Sequence, residues 1–494
     1  MKLAAQIDDV NHLEPLPDLD FNIKSGNLLI GIADKEDAEN RLGAGQLDLG
    51  GEIEEIVAIA DRLADACTQF AQLQASDVES DHLSEKQALA ARQFSARRLA
   101  DELLHRKREE TETFDDWCES HRPFHWFVEF PHVWSNGGFD VVIGNPPYIQ
   151  KKNVTGYRWI GYETQNCPDL YAVCMERAST LLNDQGRFAM IVMHSLCFSR
   201  NFGALREHLS ERLQAIWVSS YSRIPDGLFS GSARVRNAIL LGARNAGCRF
   251  FTSSCRRWLT EFRPTLFSSV EYVAPPDSLQ ILNGKGMWPF VDSEAVSAAF
   301  AKLVTVNQPL SNVLVQGAEH QLAYKRVAQY MLGVSQEPPP ARGNATTQRY
   351  GYLSFSDALH RDLALVMLAG RWGYLWWMVF SDEFDVIQST LSAFPADMER
   401  LCALLDSSGA SDPEPLDIEL VRSLVIMSNT LKNEMPKHLA WKLNAGVQVG
   451  RYNMLGCRHI TDEADLLLAQ IWGIEEAYEI AGNLRDRMVF GNKE

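Results

Sequence analysis

Two consecutive prolines placed directly after a short apolar run are the tightest constraint in the chain. Gly138-Phe139-Asp140-Val141-Val142-Ile143-Gly144-Asn145-Pro146-Pro147-Tyr148-Ile149 reads as a buried-type strand, Val141 to Ile143, that must stop at Asn145. Proline holds φ near −65° and has no N–H, so pairing cannot continue and backbone carbonyls are pinned outward as acceptors. Asn145 adds an amide oxygen, and Tyr148 adds a flat ring. A pocket of this kind accepts hydrogen bonds from an exocyclic amine and stacks on the ring that carries it. Methylating the amino group of an extruded base has that requirement. The plainer reading of the same run is a strand closed by a proline turn.

The net charge of −17 argues against a nucleic-acid partner only until it is divided. Residues 1–138 hold 28 acidic and 13 basic side chains, a balance of −15, which leaves −2 for the rest. Local basic clusters, not net charge, govern phosphate contact. The nine cysteines include no CxxC pair, which predicts reduced thiols in a cytoplasmic protein with no zinc site and no disulfide frame. No apolar run reaches the roughly 18 residues a membrane helix needs, and the first residues do not read as a signal peptide.

Along the chain, residues 16–31 read as a short strand and a loop at Ser25-Gly26-Asn27. Residues 33 to 117 are charged and alanine-rich. Ile53, Ile56, Ile59, Leu63, Leu99 and Leu103 fall at helical spacing, predicting two or more long helices in a solvated, acidic arm. Residues 121–143 are aromatic and β-prone. A helix over 169–182, a buried strand over 187–193, a helix over 203–213 and strands over 215–219 and 237–241 follow, the pattern of a parallel α/β sheet. Functional residues in such sheets lie at the carboxyl ends of strands, where Asn145 stands. Pro338-Pro339-Pro340 reads as an exposed loop, Ser407–Pro415 as a flexible acidic linker, and 416–440 and 461–488 as helices. Tryptophan at the density of Trp372–Trp377 predicts core.

Asn145-Pro146-Pro147-Tyr148, the upstream Ser25-Gly26-Asn27-Leu28-Leu29 and the long charged insert between them resemble adenine-N6 DNA methyltransferases. The likeness is to the methylase portion of type IIG restriction–modification enzymes and to BREX adenine methylases of phage defence. Phe127-Val128-Glu129-Phe130-Pro131 and Arg451-Tyr452-Asn453 support it. The resemblance implies an α/β fold: a partial Rossmann-like sheet (1–32 and 121–247), a helical insertion (33–120) and a mixed α+β target-recognition domain (248–494). It implies methyl transfer from S-adenosylmethionine to a flipped adenine in double-stranded DNA, without a metal. Asn145 and the Pro146 carbonyl, set by Pro147, would accept from the adenine N6, and Tyr148 would stack on the base. Asn27 would touch the cofactor's adenine, with a loop-capping Asn as the plainer alternative. Asp169 is either a motif residue or a helix N-cap. Lys151, Lys152 and Arg158 would clamp phosphate. Phe229 is a second stacking ring or a core residue. Arg256 and Arg257 sit in a cluster that either contacts DNA or forms a solvated basic surface.

One departure stands out. The family's glycine-rich cofactor turn should precede Ser25 by many tens of residues, and only 24 lie there. The expectation is a split or truncated enzyme whose glycine turn lies on a second subunit or in a missing segment. The alternatives are a catalytically inactive DNA-binding or scaffolding subunit, and a methyltransferase of RNA or protein glutamine.

Overall fold

The computed structural model describes residues 23–33, 37–38, 51–74, 82–107, 112–157, 159–229, 235–247, 249–280, 286–328, 331–342, 350–381, 384–405, 415–444 and 447–490. The chain forms two compact units, Met1–Phe188 and Ala189–Glu494. Arg158 and most of the linker expected at 407–415 lie outside the described residues, as do 16–22 of the first expected strand.

In the first unit, helices α1 (Glu52–Gln74) and α2 (His82–Lys107) pack on each other. They are not the solvated arm expected. Leu63, Phe70, Leu89, Ala96 and Leu103 share one apolar cluster with Ile30, Ile32, Trp117, Phe127 and Val128. The charged faces read from composition are the outer ones, and the stripe between them is core. Helix α3 (Phe114–His121) is capped by Thr113, whose Oγ1 accepts from Asp116 N at 3.3 Å.

The aromatic stretch after α3 forms helical turns at Trp126–Glu129 and Pro131–Ser135, not a strand. The helical spacing stacks Trp126 on Phe130, their centroids 6.0 Å apart, and Pro131 suits a first-turn position. Residues 23–31 contain no strand either, only one bridge, Asn27 to Pro123. Gly138 (φ +124) then leads into β1 (Phe139–Gly144). A Cβ there would lie 2.7 Å from the Leu181 carbonyl, so the tight entry needs glycine. β1 neighbours β2 (Leu182–Met193) and ends the strand order. β1 is not the buried strand expected: Val141 and Ile143 share one face by period-2 alternation, and no described element covers it, leaving them 59% and 77% exposed. Helix α4 (Leu170–Thr180) lies almost wholly in the core.

The second unit opens with the remainder of β2, then α5 (Gly203–Arg212), β3 (Ala215–Tyr221), β4 (Asn237–Ala243) and β5 (Arg249–Arg256), in the strand order β2-β4-β3-β5. The sheet is mixed, not parallel: β3 runs antiparallel to β4 and parallel to β5. The β3–β4 connection carries no crossover helix among its described residues, and without one a strand returns antiparallel. Downstream, β6 (His320–Lys325) lies between β7 (Val334–Ser335) and β9 (Tyr350–Phe355). β8 (Ala341–Arg342) joins the hairpin of β10 (Leu439–Asn444) and β11 (Val447–Tyr452). Helices α6 (Glu294–Val306), α7 (Ala358–Ala369), α8 (Arg371–Phe380), α9 (Pro415–Glu434), α10 (Arg458–Trp472) and α11 (Tyr478–Phe490) complete the unit.

The tryptophan-rich segment is core, as expected. Every residue of α8 is buried, with Trp372 and Trp376 edge-on to Phe300. No single described helix is long and apolar enough to cross a membrane. Helices α7 and α8 meet at 71° about Gly370, where a Cβ would lie against the Asp465 carboxylate. Asp465 Oδ2 accepts from Arg371 N at 2.7 Å, while Asp462 takes the guanidinium groups of Arg371 (3.1 Å) and Arg485 (3.0 Å).

Burial pushes the Asp465 carboxyl up to about 7 against the pull of Arg371 and Arg485, and its Oδ1 has no hydrogen-bond partner. An acid raised in the folded state stabilises it fully below its unfolded value near 4, and that contribution is lost as pH rises through about 7. Asp465→Asn keeps an acceptor for Arg371 N and cannot ionise. Chemical denaturation of both proteins should show the Asn variant gaining on wild type by up to a few kcal/mol between pH 4.5 and 7.5. Parallel stability curves would refute a buried, proton-holding Asp465.

Candidate active site

The proline turn leaves β1 and is pinned from the far side. Lys151 N donates to Pro168 O at 2.7 Å, Leu170 N donates to Ile149 O at 2.8 Å, and Gln150 bridges antiparallel to Asp169. The chain turns into α4 directly after this bridge, which brings Tyr171 of its first turn beside Tyr148. Their rings meet edge to face, with centroids 6.3 Å apart at 81°. Tyr171, the second residue of α4, is fully buried, so the half-buried Tyr148 is backed by a fixed ring. Asn145 and Pro147 are exposed and Pro146 half-buried. The turn therefore presents an amide, a proline carbonyl and a phenol on a rigid loop at a strand end.

Asp169 occupies the N-cap position of α4, but its side chain makes no cap hydrogen bond. Burial raises the pKa of its carboxyl. Asp169 thus has the N-cap place without the N-cap hydrogen bond.

The segment 26–32 is hydrogen-bonded along 122–126. Asn27 N donates to Arg122 O (2.8 Å), Phe124 N to Ile30 O (2.6 Å) and Trp126 N to Ile32 O (2.9 Å). The two stretches that resemble family motifs are thus neighbours. Asn27 Oδ1 accepts from Leu29 N at 3.2 Å, a loop-capping turn, and its side chain also hydrogen-bonds the Tyr157 phenol. Leu29 packs with Trp159, Tyr162, Leu170 and Val173, which places this loop in one cluster with α4 and the segment after the proline turn.

Of the expected phosphate clamp, Lys152 is exposed, while the Lys151 ammonium donates to Gln165 O (2.6 Å) and lies 5.8 Å from the Trp159 ring centroid. In the second unit, Phe229 is half-buried against the cluster of Tyr221, Leu228, Trp258 and Leu266, the core role weighed for it. Arg256 spends its fork on Ser269, with NH1 to the carbonyl at 2.6 Å and NH2 to Oγ at 2.7 Å. Arg257 is half-buried. The aromatics of this cluster turn inward: Trp258 is buried, Phe251 stacks on Trp217 and Phe250 lies against Trp288. Tyr171, two residues after Asp169, backs the turn, and the residue missed from sequence is Arg177 on the same helix. Its signal was an arginine on the apolar helix α4.

Residues 59–222, about a third of the chain, match the family described as Eco57I restriction-modification methylase. The match contains α2, the proline turn, α4 and β3. A putative type II restriction enzyme and methyltransferase of Methanocaldococcus jannaschii is 28% identical over 123 residues, 25% of this chain and 10% of that protein. The adenine-specific methyltransferase PglX of Lacticaseibacillus casei is 39% identical over 75 residues, 15% of this chain and 6% of that protein. The matched segments thus span a tenth or less of these curated relatives. Among solved structures, the DNA-bound type ISP restriction–modification enzyme LlaBIII overlays 94% of this chain and 46% of its own at 9% identity and a TM-score of 0.28, too loose an overlay to carry an argument. Over these segments the chain is similar to restriction–modification methylases.

Gly31 decides whether this neighbourhood can form. Its φ is +128°, and a Cβ would lie 2.2 Å from the Phe124 carbonyl oxygen. Gly31→Ala should destabilise the protein by about 1–3 kcal/mol from the backbone conformation alone. Urea denaturation measures this; a loss below about 0.5 kcal/mol would mean that residues 26–32 are not seated along 122–126.

Proposed function

We propose that this chain carries the base-binding part of an S-adenosylmethionine-dependent DNA adenine-N6 methyltransferase in a restriction–modification or phage-defence system. The observation that carries the reading is the turn Asn145–Tyr148, outward-facing at a strand end and backed by Tyr171. Residues 33–120 act as its helical insertion, 121–247 as its core, and 248–494 as the region that reads DNA.

Asn145 Oδ1 and the Pro146 carbonyl accept the two N6 hydrogens of an extruded adenine, which localises the nitrogen lone pair for attack. Tyr148 stacks on the purine. Base–aromatic stacking contributes about 1–3 kcal/mol, comparable with the few that extrusion costs. Proton loss from N6 accompanies or follows transfer, and catalysis is positioning plus fixed acceptor dipoles. Lys152 and Lys151 flank the turn as phosphate contacts, with Arg158 next in sequence. Asp169 stands beside the turn at the start of α4.

The cofactor would supply an electrophilic methyl group. Asn27 is the one described residue at a matching position, and its amide oxygen is already held by Leu29 N. Among the described residues no glycine-rich turn follows a strand, so these residues do not by themselves form the cradle. A further segment, on a second subunit or elsewhere in the protein, would complete it, and the exposed edge β1 is where a further strand fits.

The test pairs binding with product analysis. The chain is expressed alone and with its genomic neighbours, S-adenosylmethionine binding is titrated, and DNA is digested to nucleosides after reaction. N6-methyladenine is expected when the complementing segment is present. Asn145→Ala should lower its formation about 100-fold or more, with thermal stability unchanged because the side chain is exposed. Tyr148→Ala should cost about 5- to 150-fold. Absence of cofactor binding and of methylated adenine under every condition would favour a scaffolding or DNA-binding subunit.

A further inference from the structure

The second unit contains a cavity of about 560 Å³ between β6, β7 and β9 on one side and the β10–β11 hairpin on the other. That volume lies within the range of small-molecule sites. Its floor is aliphatic and thioether, Met331 among it, and Tyr350 and Tyr452 stand in its wall. Among the described residues three cations line it, Lys325, Lys442 and Arg451, and no acidic residue does. This is unexpected in a chain with 64 acidic and 47 basic residues.

The register explains the convergence. Lys442 faces Val449 and Ala440 faces Arg451, so period-2 alternation puts Lys442 and Arg451 on one face of the hairpin. Lys325 is the direct cross-strand partner of Tyr350. Among the described residues none of the three cations forms an ion pair. Burial lowers the pKa of Lys325, and Lys442 and Arg451 lower it further, so the three charges act on one space. Burial pushes the Tyr350 phenol up to about 12, so it keeps its proton. Glu337 acts on Tyr452 but does not line the cavity. Like charges gathered around an apolar floor are destabilising until an anion joins them.

We propose that this cavity binds a nucleotide, its phosphate held by Lys325, Lys442 and Arg451 and its base lying on the apolar floor beside Tyr350 and Tyr452. Choosing a nucleotide among flat anions rests on the DNA-methyltransferase reading, but the site is separate from the Asn145 turn and is tested without methylation. The ligand is a nucleotide of a DNA strand or a free one; both share this chemistry.

The experiment uses the full chain and three probes: a fluorescein-labelled 12-nucleotide single strand, deoxyadenosine monophosphate and inorganic phosphate. Binding is read by anisotropy and by calorimetry. The double variant Lys442→Gln/Arg451→Gln alters two exposed side chains, and Met331→Trp fills the floor without touching charge. Circular dichroism melts confirm that each is folded. Both variants should weaken nucleotide binding tenfold or more, and the double variant should lower the salt slope of strand binding by about 2. Competition by the mononucleotide identifies a free ligand as sufficient; binding of the strand alone identifies DNA. The proposal fails if neither nucleotide probe binds. It also fails if binding survives Met331→Trp, or if inorganic phosphate competes as well as the mononucleotide.

Discussion

A buried guanidinium organises the first unit. Arg177 is 2% exposed on α4, and a charge there persists only if it is paired and its donors are met. Its partners come from three other places in the chain: Asp37 at 3.0 Å, the Tyr162 hydroxyl at 3.0 Å and the Gly31 carbonyl at 3.4 Å. Tyr162 in turn donates to Leu29 O at 3.0 Å. The segment carrying Asn27 is thereby tied to the helix that carries Tyr171, and Tyr171 backs the ring of Tyr148. Glu176, one residue earlier on α4, accepts from Thr164 N (2.8 Å) and Thr164 Oγ1 (2.6 Å) and from Glu163 N (3.0 Å). Two adjacent charged residues of one helix therefore hold the chain on both sides of the proline turn.

This support matters because the turn has little of its own. Asn145 is exposed and β1 ends its sheet, so neither packing nor a second neighbouring strand holds the loop from the outside. Rigidity comes from the prolines and from the backbone contacts between residues 149–151 and 168–170. A loop fixed this way can offer acceptors in a set direction without burying them, which suits a ligand that arrives from solvent and must stack and hydrogen-bond together.

What could be read from sequence was whatever local chemistry decides. The proline turn, α1, α2, α4, β3 and β4 follow from proline sterics and from strong periodicity. What could not be read depends on distant partners. The aromatic stretch 121–135 has strand composition but folds into helical turns because Trp126, Phe130 and Phe139 need one another's faces. Strand direction could not be read because β3 and β4 are largely buried on both faces, and such continuous apolar runs are the mark of parallel sheets. The hairpin β10–β11 escaped notice because its first strand continues from the end of a helix, at a boundary that propensity places poorly. Asn27 and Asp169 each had a functional and a capping reading. Asn27 Oδ1 makes its capping bond and Asp169 makes none, a difference set by the fold around each residue and not by its neighbours in sequence.

The charge partition hides more than it shows. A balance of −2 over residues 139–494 reads as electrostatically bland, yet the arginines of the second unit have two unlike fates. Arg371, Arg458 and Arg485 pair with Asp462 and Asp486, and Arg256 donates to the neutral Ser269. The donors of these arginines are met inside the protein. Lys325, Lys442 and Arg451 instead stand around an apolar space with no acidic lining residue among those described. Net charge weighs both kinds equally, whereas a ligand meets only the second. A cation therefore becomes a candidate for recognition when its donors are not already met inside the protein, and among the described residues the β10–β11 cavity gathers three such cations around one apolar space.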